Sequence, residues 1–169
     1  MKLLSFSAVA VSIFIGLSTV TTACDGCAKT DKKKASKTEV VAKVSEAKWL
    51  TDFAAAKAQA KKENKHILID FSGSDWCHWC VKLDDEVFSK KEFVEYADKN
   101  LVLVLADFPR NGNQSEALKK QNQELNNTYK VRGFPTVIIL DSKGKKVSQL
   151  GYQPGGPEAY IKTLKSKLK

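Results

Sequence analysis

The sequence predicts an α/β domain with a mixed sheet flanked by helices, and three observations carry the prediction. Two short apolar runs, His66-Ile67-Leu68-Ile69-Asp70-Phe71 and Leu101-Val102-Leu103-Val104-Leu105-Ala106, have the character of buried strands. Helical patterns precede, separate and follow them, which calls for parallel strands joined by crossovers. Two more short strands, 136–140 and about 146–150, flank the turn Asp141-Ser142-Lys143-Gly144 and read as an antiparallel hairpin.

Taken in order, the elements have local reasons. Thr51 can cap a helix over 52–63, on which Phe53, Ala56 and Ala60 share a face. The strand at 66–71 runs into a loop, 72–76, and a helix is expected from about Cys77 to Phe88. Ser89, with Glu92 three residues later, has the spacing of a capping box for a second helical piece, about 90–99. The strand at 101–106 is closed by Pro109 and the turn Asn111-Gly112-Asn113. Ser115 can cap a helix from 116 to about 129. After the hairpin, Pro154-Gly155-Gly156-Pro157 breaks the chain before a final helix, 158–168.

The first residues do not belong to this domain. Lys2, the apolar stretch Leu3 to Leu17 and the small-residue run 18–23 have the layout of an export signal. A retained membrane anchor fits less well, because the run is short and interrupted by serines. Thr21-Thr22-Ala23-Cys24 resembles the bacterial lipobox, in which the cysteine becomes the lipidated N-terminus. Thr21 stands where that motif usually has an aliphatic residue, so a soluble secreted protein cut at the same bond is the alternative. Residues 24–46 then form a tether rich in Lys, Ala, Ser and Thr, although Val40, Val41 and Val44 could make a short strand. The domain proper is 47–169.

The chain carries a formal charge of +9, which falls to +8 once Lys2 leaves with residues 1–23. Its lysines are scattered and no basic cluster is interleaved with aromatics. A solvated surface therefore accounts for them better than a nucleic-acid groove.

Chemistry concentrates at Cys77-His78-Trp79-Cys80. The first cysteine falls where a helix begins, so free N–H groups and the helix dipole favour its thiolate. Cys80, one turn on, is near enough to close a disulfide. A structural disulfide over so short a loop would add little chain-entropy stabilisation. Cys24-Asp25-Gly26-Cys27 makes a second C-x-x-C, which admits a zinc site. Against zinc, the pairs are about fifty residues apart and one lies in the tether. Neither pair is followed by the His of covalent haem attachment.

The segment Asp70-Phe71-Ser72-Gly73-Ser74-Asp75-Trp76-Cys77-His78-Trp79-Cys80, followed by Val131-Arg132-Gly133-Phe134-Pro135-Thr136, resembles the thioredoxin superfamily. It is particularly similar to exported bacterial thioredoxin-like proteins with a Gly-Ser-Asp-Trp-Cys-x-x-Cys segment. The resemblance covers about Trp49 to Leu168. It implies a thioredoxin-like fold in which Cys77 is the attacking and Cys80 the resolving cysteine. It also implies a cis bond before Pro135, packed against the disulfide, with the Phe134 backbone pairing to a substrate strand and Trp76 in the docking surface. Asp70 resembles the buried acid that shuttles a proton for the resolving cysteine, but one extra residue separates it from the first cysteine. A strand-end Asp bonded to backbone is its alternative reading. His78 and Trp79 replace the Gly-Pro of thioredoxin, and a cationic His there would favour the thiolate and a more oxidising disulfide. His66 reads as a surface residue.

The expected activity is thiol–disulfide exchange in the cell envelope, most simply the reduction of disulfides in exported proteins by a monomer. It needs no cofactor and no metal, and a membrane electron-relay protein would restore the reduced pair. A disulfide-forming oxidase or isomerase is the first rival. A non-catalytic binding module holding a client or copper through Cys77, Cys80 and His78 is the second, although the chain has no Met-rich or His-rich tract.

Overall fold

The computed structural model describes residues 46–168. The export segment, Cys24, Cys27, the tether up to residue 45 and the valine strand lie outside them. Five strands form one sheet: β1 (Trp49–Leu50), β2 (His66–Ser72), β3 (Leu101–Asp107), β4 (Thr136–Leu140) and β5 (Lys146–Leu150). Their spatial order is β1-β3-β2-β4-β5. β3 runs parallel to both β1 and β2, whereas β4 is antiparallel to β2 and to β5. The helices are α1 (Phe53–Glu63), α2 (His78–Leu83), α3 (Lys91–Asn100), α4 (Glu116–Tyr129) and α5 (Gly156–Lys167).

β2, β3 and β4 are buried on both faces, as their apolar runs require. Alternation along β2 sends Leu68 into one layer, with Leu83, Val87, Phe88, Phe93, Val137, Tyr160 and Leu164. Ile67, Ile69 and Phe71 face the other layer, with Ala56, Ala60, Leu125, Ile138 and Leu140. Helices α2, α3 and α5 thus cover one face, and α1 and α4 the other. Among the described residues no helix is long and apolar enough to cross a membrane.

Four local expectations are corrected. The two-residue strand β1 joins the edge of the sheet beside β3, where the sequence is too short to show a strand period. Asp52, not Thr51, caps α1: its carboxylate accepts the N–H groups of Ala54 and Ala55 at 2.8 and 3.1 Å. Ser89 makes no capping box for α3, which begins after Lys90 without a side-chain cap. The Ser89 hydroxyl instead donates backwards to the Asp84 carbonyl at 2.8 Å.

The fourth correction concerns the helix expected over 77–88. It changes after Leu83 into a π-helical turn, Asp84–Phe88. That widened turn places consecutive Val87 and Phe88 in the core. Elsewhere the Ser115 hydroxyl accepts the Leu118 N–H at 3.3 Å as a cap for α4. The final helix starts two residues early, at Gly156, because the left-handed Gly155 supplies the break.

Candidate active site

β2, the central strand, delivers the chain to the reactive pair. After Ser72 the chain turns on Gly73, whose carbonyl accepts the N–H groups of Trp76 at 3.1 Å and Cys77 at 2.8 Å. A side chain on Gly73 would collide with the Trp76 indole, so the close approach itself requires glycine here. Cys77 then serves as N-cap of α2, its sulfur accepting the Cys80 N–H at 3.3 Å. The two cysteines form a disulfide, with Cα atoms 5.3 Å apart. Both are buried, yet Trp76 and Trp79 beside them are 38% and 51% exposed. The Phe134–Pro135 bond is cis and immediately precedes β4, the other neighbour of β2.

Two aromatic groups flank the disulfide. On one side the Trp76 ring meets Phe134 edge-on at 5.8 Å, and Phe134 stacks on Phe108 at 5.2 Å. The Trp76 indole N–H donates to the Phe108 carbonyl at 2.8 Å, and the Arg110 guanidinium lies 4.7 Å from the indole centre. On the other side Trp79 packs on Tyr152 at 5.1 Å, with Lys82 Nζ 5.2 and 5.3 Å from the two ring centres. The Tyr152 hydroxyl donates to Glu86 at 2.7 Å. His78 is exposed and meets Trp79 edge-on at 5.9 Å.

Carboxylates hold the site's loops together. Asp75 accepts the backbone N–H groups of Arg110 at 2.9 Å and Asn111 at 2.8 Å, and these bonds hold its carboxyl below the usual range. Ser74 donates its N–H and hydroxyl to Asp107 at 2.9 and 2.6 Å. The loops after β2 and β3 are thereby clasped into one surface.

Asp70 is different. It lies within β2, between Leu105 of β3 and Val137 of β4, and is 6% exposed. Its Oδ1 has no hydrogen-bond partner in the protein, so the reading of a strand-end Asp satisfied by backbone does not describe this atom. Burial, and then the neighbouring charges of Asp84 and Asp107, push its pKa up to about 8. An ordinary aspartate could not take a proton from a thiol of pKa about 8.5, but one near 8 is matched to it.

The structure therefore gathers Trp76, Cys77, His78, Trp79, Cys80, Phe134 and Pro135 around one rim and puts Asp70 in the central strand leading to it. His66 opens β2, half-buried. Phe108, Arg110 and Tyr152 were not foreseen from sequence. Their contacts span 26 residues or more and follow no local pattern. Asp75 was visible within the motif, but its partners were not.

Comparison with known proteins agrees with this geometry. A thioredoxin-like domain family matches residues 53–166. The disulfide bond reductase DsbH of Chlamydia pneumoniae is 41% identical over 117 residues, which are 69% of this chain and 70% of the relative. A solved structure of a DsbH oxidoreductase superposes with a TM-score of 0.71 at 39% identity, covering 73% of this chain and 85% of the other. A thioredoxin from Thermus thermophilus shares the fold at 19% identity and a TM-score of 0.55, over 72% of this chain and 87% of its own. Sequence, fold and cysteine pair converge: the chain belongs to the thioredoxin-like family and is a thiol–disulfide oxidoreductase.

Proposed function

We propose that this protein reduces disulfides in exported partner proteins of the cell envelope. The carrying observation is the placement of Cys77 as the cap of α2, on a rim walled by exposed Trp76 and Trp79. The similarity to a disulfide bond reductase supports the direction. In the reduced enzyme the Cys77 thiolate, favoured by the helix start, attacks one sulfur of a client disulfide. The client S–S bond breaks, one client thiolate leaves and a mixed disulfide forms. Cys80 gives its proton to Asp70 and attacks the Cys77 sulfur. The second client thiolate is released and protonated, and two electrons have passed to the client.

Trp76, His78, Trp79 and Phe134 form the docking rim in this reading, and the backbone before Pro135 pairs with the client strand. Cys24 carries a lipid, residues 25–46 act as the tether, and Cys27 has no assigned part. The chemistry uses no cofactor. A membrane electron-relay protein returns the Cys77–Cys80 disulfide to the dithiol.

A Cys80→Ala variant tests the mechanism. It is expected to accumulate disulfide-linked clients through Cys77 when expressed in the native envelope, with a wild-type reduction potential near that of thioredoxin, about −270 mV. Absence of adducts would sink the exchange mechanism. A potential near −120 mV would reverse the direction and make the protein an oxidase.

A further inference from the structure

A second buried polar atom faces the same layer as Asp70. The hydroxyl of Tyr160, on α5, is fully buried and has no hydrogen-bond partner in the protein. Among the described residues only Asp70 Oδ1 and this hydroxyl are buried side-chain N or O atoms without a partner. Strand alternation puts them on one side of the sheet. Leu68, two residues before Asp70, and Val137, paired with it across β4, both belong to the layer that contains Tyr160. The Tyr160 ring is fixed there edge-on against Phe88 of the π-turn at 5.8 Å.

We propose that Asp70 Oδ1 and Tyr160 Oη are joined through one buried water molecule, and that Tyr160 is thereby a positioning residue for the proton Asp70 exchanges. Two buried orphans in a single layer are otherwise a large uncompensated desolvation cost, and a buried water is the ordinary means of satisfying such groups. Burial, and then the charge of Asp70, raise the phenol's pKa far above its usual value. It therefore stays a donor at every pH at which Asp70 titrates. A donor reaching the carboxylate through water stabilises its charged form and limits how far burial lifts its pKa. The other titratable groups bearing on Asp70 are Asp84, at the head of the π-turn, and Asp107, at the end of β3. Its lateral strand neighbours Leu105 and Val137 are apolar. The inference rests on the assignment of Asp70 as proton acceptor for Cys80.

The test uses the full-length oxidised protein, in which Cys77 and Cys80 do not titrate. Asp70 is followed through its carboxyl 13C shift against pH in wild type and Tyr160→Phe. Loss of the hydroxyl is expected to move the titration upward by roughly half to one unit and to lower the melting temperature. Leu164→Ala, which loosens the same layer but keeps the phenol, is expected to lower the melting temperature and leave the titration in place. A titration unmoved or moved downward in Tyr160→Phe overturns the proposal, whatever happens to the melting temperature. Asp70→Asn, assayed alongside for client reduction, separates the two ideas. Wild-type rates there would remove Asp70 from the mechanism, while the coupling is still read from the Tyr160→Phe titration.

Discussion

Asp70 shows how much one buried group can decide. Its folded pKa of about 8 lies above its ordinary value of 3.8, so the native state binds the extra proton between those limits. The stability linked to that proton is fully present below about pH 4 and is lost as pH rises through about 8. Asp70→Asn, which cannot ionise, is therefore expected to be more stable than wild type by a few kcal/mol at pH 9. The difference should shrink toward pH 5, as urea denaturation at the two pH values would show. If Asp70 takes the proton of Cys80 as proposed, the same variant should reduce a client roughly tenfold or more slowly at pH 7. An equal denaturation midpoint at pH 5 and pH 9, relative to wild type, would contradict the buried, ionisable acid.

Between elements, the clasp of Asp75 on the loop after β3 ties the reactive turn to Phe108 and Arg110. Two backbone N–H groups close on one carboxylate, and Trp76 is held by the same loop through Phe108. Asp75→Ala is expected to raise KM for a protein client several-fold and leave kcat nearly unchanged. Trp76 fluorescence should shift as its indole becomes more mobile. A fall in kcat with KM constant would instead place Asp75 in the chemical step. On the other wall, Lys82, Glu86 and Tyr152 fix Trp79 through α2 and its π-turn, so the dipeptide between the cysteines is presented by packed structure.

Across the whole molecule, the wall of Phe108 and Phe134 rests on the layer of α1 and α4, and that of Tyr152 on the layer beneath α2 and α5. Phe88 is the hub of the latter, with ring centroids 5.3 Å from Trp49, 4.8 Å from Phe93 and 5.8 Å from Tyr160. These partners come from β1, α3 and α5, so one side chain joins three separate elements to the reactive helix. Phe88→Ala is expected to cost about 3–5 kcal/mol of unfolding free energy, measured by denaturant titration. A loss under about 1 kcal/mol would mean that the layer refills the space.

What the sequence determined by itself is the part of this protein written in local chemistry. Apolar runs at 66–71 and 101–106, a turn at 141–144 and a Ser cap at 115 are short-range signals, and each element they announced is present. Cys77 and Cys80 were legible for the same reason, since a four-residue motif contains both sulfurs of the disulfide and the start of the helix that Cys77 caps. Capping was less secure. Asp52 and Thr51 are adjacent candidates, and Ser89 found a stronger partner in the Asp84 carbonyl than in α3. Only the tertiary structure decided what depends on distant chain segments meeting: the β1 edge, the π-turn, and the aromatic walls of Phe108 and Tyr152. The same holds beneath the cysteine pair. Sequence marked Asp70 as a candidate acid, but its raised pKa comes from burial between β3 and β4, and burial is a property of the assembled sheet.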